Sequence, residues 1–367
     1  MPKRVSVIIV GGSHAGPAVS HKLLRQTPNA TITLINPSDE YYFNIAAPRF
    51  LVKPGCLPQC KYIYSILNAF REYPAGAFTF VKGLVTRIDN SVKSVSVITS
   101  ADSSKSTVGS FCFDYLAIAS GSTTPATLGQ ARVKLPFKAT AFEDTMKTIH
   151  VARETLKAAR MIVIGGTGPL GVEIAGELAE APELKKITLL SRTNVLLEGA
   201  TEPVQKTTLS LLRRRNINIL TEVTVEGAQY KTNAQSWKFK LSTGETITAD
   251  AYIATTGTIP NNGFIPNSFL NSEGWVNVDG CLRVVETGVS RSDTYAIGDI
   301  TCHPYRLLSI LVTYSAEAQK KMIVVLTLFR CLVWFFKGKD YLTYKAPKFL
   351  RGQIRWIDDR IVHIMLM

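Results

Sequence analysis

The chain has 367 residues, enough for two or three domains with sizeable cores, and its 46% hydrophobic and 19% charged residues exclude a disordered or fibrous protein. Its net charge of +14 would suit nucleic acid, anionic lipid or an anionic ligand. No zinc-finger spacing and no nucleic-acid module accompanies that charge, so a basic surface that partly serves phosphates is the expectation and nucleic acid is not an expected partner.

The chain opens with Met1-Pro2-Lys3-Arg4 and runs straight into an apolar segment, Val5 to Val10, without the length or cleavage site of a signal peptide. With Pro2 after the initiator Met, N-myristoylation is not expected. Next come Gly11-Gly12-Ser13-His14-Ala15-Gly16, a helical pattern through Leu23-Leu24, and a second apolar run over residues 31–35 that ends at Asn36. This reads as a strand–turn–helix–strand unit. Further on, Asp89-Asn90-Ser91 supplies a turn and Val95-Ser96-Val97 alternates, which predicts a hairpin. A buried-strand run then carries the chain from Asp114 to Gly121.

The same pattern then repeats. An apolar run over residues 161–164 leads to Gly166-Thr167-Gly168-Pro169-Leu170-Gly171, a helix through Val172, Ile174, Ala175 and Leu178, and a strand that ends at Ser191. From Gly11 to Asn36 is 25 residues, and from Gly166 to Ser191 is 25 again. Arg213-Arg214-Arg215 closes a further helix, where cations suit the helix dipole. The alternating Trp237 to Leu241 precedes the turn Ser242-Thr243-Gly244, and Asp250 stands seven residues before Gly257 as Asp114 does before Gly121. The expected fold class is α/β, with two doubly wound, Rossmann-like dinucleotide-binding domains, each with a small antiparallel crossover.

A glycine turn between strand and helix binds pyrophosphate because the first Gly permits the tight turn, the second admits the phosphates to the backbone, and the third lets helix and strand pack. The helix N-terminus adds free N–H groups and partial positive charge. The second copy is intact, whereas Ser13 replaces the second Gly in the first; a negative φ would accommodate it, and its hydroxyl could bond a phosphate. Neither unit ends its second strand with the usual acidic residue for the ribose hydroxyls. Asn36 can still bond a diol, and Arg192, next to Ser191, reads either as a partner for a 2′-phosphate or as a solvated surface arginine.

On these motifs the chain resembles the pyridine-nucleotide flavoprotein superfamily, and within it the apoptosis-inducing-factor-like, ferroptosis-suppressor-like oxidoreductases, over roughly residues 4–345. The resemblance rests also on Tyr42-Phe43-Asn44-Ile45-Ala46-Ala47-Pro48-Arg49, on Gly171-Val172-Glu173, and on Thr294-Tyr295-Ala296-Ile297-Gly298-Asp299. It implies an FAD-dependent enzyme that takes hydride from NAD(P)H and reduces a quinone-like acceptor, with Asp299 on the ribityl chain and Glu173 near the meeting point of nicotinamide and flavin. Residues 1–125 and 262–320 would then form the FAD-binding domain, 126–261 the inserted NAD(P)H-binding domain, and 321–367 a divergent C-terminal segment on the acceptor or membrane side. The expected cofactor-binding residues are Gly11, Gly12, Ser13, Ala15, Gly16, Asn36, Asn44, Arg49, Gly121, Gly166, Gly168, Gly171, Arg192, Gly257 and Asp299, with Glu173 as the catalytic residue. Hydride transfer itself needs no protein acid or base; the protein aligns two rings.

Six cysteines form no disulfide framework, so a reducing, cytoplasmic setting is expected. Cys56 and Cys60 are separated by three residues including Pro58, which differs from the redox pair of glutathione-reductase relatives and favours direct electron transfer from flavin to acceptor. Cys302 and His303 have no companion ligand pair, and no metal is expected. Residues 322–336 are almost wholly apolar and flanked by lysines, yet too few to span a bilayer; they read as a core helix or as an interfacial helix at a membrane surface. Two other functions fit the same residues: a biosynthetic flavin oxidoreductase acting on a specialised metabolite, and a cofactor-switched signalling or DNA-binding protein.

Overall fold

The computed structural model describes residues 4–100, 106–129, 134–139, 145–303 and 343–353. The apolar stretch 322–336 and most of the C-terminal segment lie outside the described residues. The chain divides into two compact units, one made of residues 1–43, 59–122 and 260–367, the other of residues 44–58 and 123–259. The second unit is thus inserted into the first.

The first unit is built on a six-stranded sheet ordered Arg283–Glu286, Val289–Ala296, Tyr115–Ile118, Val5–Val10, Ala30–Asn36 and Phe78–Lys82. All neighbours are parallel except the Arg283–Glu286 and Val289–Ala296 pair. Strand Val5–Val10 is β-branched at every position but Ser6, and its buried part, Val7 to Val10, is unbroken because a central parallel strand is covered on both faces; Ile9 is 0% exposed. Strands Leu84–Asp89, Ser94–Ser100 and Ser106–Cys112 form the antiparallel crossover foreseen from the Asp89-Asn90-Ser91 turn. The core runs from this crossover (Val85, Ile88, Val95, Val97) to the main sheet (Ile8, Val10, Leu116, Ile118).

The second unit repeats the plan with four parallel strands, ordered Asn218–Leu220, Lys186–Leu190, Met161–Gly165 and Ala251–Ala254. Its crossover is Val225–Lys231, Ser236–Leu241 and Thr246–Ala249. Strand Ser236–Leu241 buries Trp237, Phe239 and Leu241 and exposes the residues between, the alternation of a sheet wetted on one face.

The aspartates that recur seven residues before a glycine have the same task in both units. Asp114 Oδ2 accepts from Ser6 N at 2.8 Å, and Asp250 Oδ2 accepts from Arg160 N and Met161 N, each at 2.8 Å. Each carboxylate ties the start of the closing strand to the start of the first strand and so sets the parallel register.

Helix Ala47–Val52 lies in the chain between strands of the first unit but packs in the second, against helices Thr145–Ala158 and Pro169–Ala179. Arg153 Nε donates to Phe50 O at 2.8 Å, and its guanidinium lies 5.8 Å from the centroid of the Phe50 ring.

Candidate functional site

In the first unit the glycine turn joins strand Val5–Val10 to helix Ala15–Gln26, and its glycines are demanded by contact. Gly11 has φ +116°, and a Cβ there would sit 2.2 Å from Ala119 O. A Cβ on Gly16 would fall 1.8 Å from Gly11 O, which is how helix and strand come close enough to share the turn. Gly12 abuts the Asn36 side chain, whose Oδ1 accepts from Gly12 N at 2.8 Å while Nδ2 donates to Ser38 O at 2.6 Å. Ser13 is exposed and lies outside the left-handed region, so it stands in the turn without strain.

The other carboxyl ends of this sheet meet the same turn. Gly298 has φ +76°, and a Cβ there would lie 3.3 Å from Ala15 Cβ, which brings Asp299 to the start of the helix. Ser122 Oγ donates to Asp299 Oδ2 at 3.4 Å, Asn261 N donates to Gly121 O at 3.0 Å, and Gly121 itself has φ +66° with open space around it. Open sheets of this kind bind ligands outside the carboxyl ends of their strands.

One pair here escaped sequence reasoning. His14, inside the glycine turn, has Nδ1 2.6 Å from the hydroxyl of Tyr41. Burial holds that phenol far above its ordinary pKa, with Tyr64 adding to the effect, so Tyr41 meets the imidazole as a neutral hydroxyl. Edge-to-face contacts of His14 with Tyr41 and Phe43, at 5.4 and 6.0 Å, complete an aromatic wall beside the turn.

The second unit reproduces the cradle. Gly166 has φ +111° and faces Thr255, whose O and Oγ1 would each lie 2.8 Å from an added Cβ; Gly171 would meet Gly166 O at 2.0 Å. Gly168 is the helix cap in extended backbone, and a Cβ there would meet nothing within 4 Å, so this face of the turn is open to a pyrophosphate. Thr255 Oγ1 donates to Gly165 O at 2.9 Å and closes the turn, and Gly257 follows with φ +111°. Ser191 occupies the place of Asn36: fully buried, it has Oγ 2.8 Å from Thr167 Oγ1. Arg192, next along, is 79% exposed.

Glu173 sits half-buried in the second turn of helix Pro169–Ala179. One turn later Glu177 is buried, and it was not foreseen. Its Oε1 accepts from Arg49 Nε at 3.0 Å and Nη2 at 2.8 Å, while Oε2 pairs with Lys53 Nζ at 3.0 Å. Lys53 also reaches Glu180 at 3.1 Å, and Glu180 pairs with Arg215 at 2.7 Å. Arg49, expected beside the flavin, is here the ion-pair partner of Glu177, and Asn44 Nδ2 donates to Phe137 O at 2.7 Å. The signal for Glu177 was its position between the apolar Ile174 and Leu178 on the buried face of the helix.

Cys56 and Cys60 are free, exposed, and fall in different units. Desolvation pushes the Cys56 thiol above its ordinary pKa, with nearby Arg49 opposing, so it is no activated thiolate. Among the described residues, no cluster of His, Cys, Asp and Glu could hold a metal ion and no helix is long and apolar enough to cross a membrane.

Two glycine turns of the same geometry stand one in each unit, and the match to known proteins gives the class: the chain belongs to the pyridine nucleotide-disulphide oxidoreductase family, whose pattern spans residues 5–320, and is an FAD-dependent NAD(P)H oxidoreductase. Among its relatives, Oxidoreductase ptaL of Pestalotiopsis fici is 34% identical, over 93% of this chain and 86% of that protein. Human ferroptosis suppressor protein 1 is 28% identical, over 80% of this chain and 73% of that one. In fold, the chain resembles an engineered water-forming NADPH oxidase bound to NADPH, with TM-score 0.64 at 18% identity over 81% of this chain. It resembles NDH2 of Plasmodium falciparum in complex with NADH equally, with TM-score 0.64 at 20% identity. The chain spans 62% and 65% of the lengths of these two solved chains.

Proposed function

We propose that this enzyme draws hydride from NAD(P)H held on the second glycine turn, through FAD held on the first, and delivers two electrons to a small quinone-like acceptor. The cofactors supply the hydride chemistry, and the chain supplies grip and alignment. Helix Ala15–Gln26 offers its N-terminal N–H groups to the FAD pyrophosphate across Gly11 to Gly16, and Asp299, steadied by Ser122, accepts from the ribityl hydroxyls. Asn36 spends most of its bonding on the turn, leaving one amide hydrogen for a ribose hydroxyl. Gly166, Gly168 and Gly171 hold the NAD(P)H pyrophosphate, Arg192 reaches a 2′-phosphate, and Glu173 orients the nicotinamide end. Arg49 acts by position, through Glu177 on the helix that carries Glu173.

The observation that carries this reading is the duplicated close approach of the third glycine to the first, 1.8 Å in one unit and 2.0 Å in the other for an added Cβ. Two such cradles on one chain suit electron traffic between two dinucleotides. The quinone-like acceptor follows from the resemblance to apoptosis-inducing-factor-like enzymes. The test is to load purified protein with FAD and follow oxidation of NADPH and NADH against a panel of soluble quinones and complex aromatic metabolites. Steady quinone-dependent turnover is expected. Folded protein that takes up no flavin would overturn the reading, and turnover with a single metabolite alone would replace the quinone by that metabolite.

A further inference from the structure

We infer that Glu198 is a cofactor-selectivity residue, which supplies from a loop the carboxylate that the second strand end lacks and opposes Arg192 in the choice between NADPH and NADH. The inference rests on the placement of the NAD(P)H adenosine end beside Ser191 and Arg192 proposed above.

The strand Lys186–Leu190 ends in Ser191, a neutral residue, and the acidic group that usually receives the adenosine ribose is missing from the strand. The chain that follows does not wander into solvent. Ser191 Oγ donates to Val195 O at 3.1 Å, Thr193 Oγ1 donates to the same oxygen at 2.9 Å, and Val223 N reaches back to Ser191 O at 2.9 Å. Leu197 then adopts φ +53° and donates its N–H to Thr167 O at 2.9 Å, the residue between the first two glycines of the turn. Gln205 Nε2 and Ala200 N both donate to Leu197 O, at 3.3 and 2.8 Å. A bulky residue held in the left-handed region by bonds on both sides fixes the direction in which its neighbour leaves the loop. That neighbour is Glu198, and its Oε2 stands 4.0 Å from Arg192 Nη2.

The two side chains are 79% and 67% exposed, so as an ion pair they hold each other weakly and both stay available to a ligand. Their preferences for that ligand are opposite. A 2′-phosphate brings close to two negative charges and acceptor oxygens only, which a guanidinium receives and a carboxylate repels. A ribose 2′-hydroxyl brings a donor, which a carboxylate receives. Arg192 alone would make the site select NADPH; with Glu198 beside it, selection is blunted and both nucleotides are admitted.

The probes are NADP+, NAD+ and the fragments 2′,5′-ADP and 5′-AMP, with binding to the FAD-loaded protein measured by calorimetry, independently of turnover. Glu198→Gln should tighten NADP+ and 2′,5′-ADP about two- to fivefold and leave NAD+ and 5′-AMP equal or weaker. The gain should shrink at high salt, since both groups are exposed. Arg192→Ala separates the two ideas. If it weakens the 2′-phosphate ligands selectively while Glu198→Gln leaves every ratio unchanged, the assignment of Glu198 is overturned and that of Arg192 stands. If Arg192→Ala also leaves the ratios unchanged, the adenosine end lies elsewhere and the underlying reading is overturned.

Discussion

Removing the Glu177 carboxylate is the sharpest perturbation available in the second unit. Arg49 and Glu177 are 16% and 6% exposed, and the guanidinium delivers two hydrogen bonds of 3.0 and 2.8 Å to a single oxygen. Breaking a buried pair by deleting one partner costs about 3–5 kcal/mol, because the surviving charge stays desolvated. Lys53 keeps Glu180 at 3.1 Å, so the loss concentrates on Arg49 and the lower end of that range applies. A loss of about 3 kcal/mol corresponds to roughly 6–12 °C for a unit of this size. Glu177→Ala should therefore lower the melting temperature by that amount, and hydrogen exchange should accelerate first in helices Ala47–Val52 and Pro169–Ala179. Replacing both partners, Arg49→Met with Glu177→Leu, removes the stranded charge and should recover most of the loss. A single mutant within about 1 kcal/mol of the parent in urea denaturation would refute the claim that this pair anchors the helix.

Gly168→Ala places a methyl group in open space at φ −69°, so stability should change by less than about 0.5 kcal/mol. NADP+ affinity should still fall about tenfold, because the methyl obstructs phosphate approach to the backbone; unchanged affinity would move the pyrophosphate elsewhere. Burial, reinforced by Arg25, holds His21 at a pKa of about 4, below the ordinary 6.5. Its unfolded form takes the proton first, so stability should fall as pH drops from 6.5 towards 4, by up to about 3 kcal/mol. His21→Phe, which keeps the 4.0 Å stack on Phe70, should flatten that limb of melting temperature against pH, and an unchanged slope would show that His21 does not control it. The double substitution Cys56→Ser, Cys60→Ser should leave quinone turnover near normal; a flavin-loaded double mutant that has lost turnover would point to a thiol relay.

Both glycine turns, the 25-residue spacing and the paired aspartates were legible in the sequence because each depends on local chain geometry. A positive φ at Gly11 or Gly166, and a helix pressed against a turn five residues earlier, leave glycine little alternative wherever they occur. The parallel strands that flank each glycine turn and close each unit were legible for a similar reason, since cover on both faces favours a near-continuous apolar run. The edge strands Phe78–Lys82 and Asn218–Leu220 carried no such signal. What the side chains touch was decided by tertiary structure alone. Asn36 looks like a ribose ligand in the sequence and spends its carbonyl on Gly12 N. Ser122 finds Asp299 across 177 residues, and Arg49 finds Glu177 across 128. Arg49 and Arg192 are the same residue type in the sequence, but one is 16% exposed against a buried carboxylate and the other 79% exposed, 4.0 Å from a carboxylate that is itself exposed. Residue type sets which charge is present; only the packing of distant helices and loops sets whether water or a partner receives it.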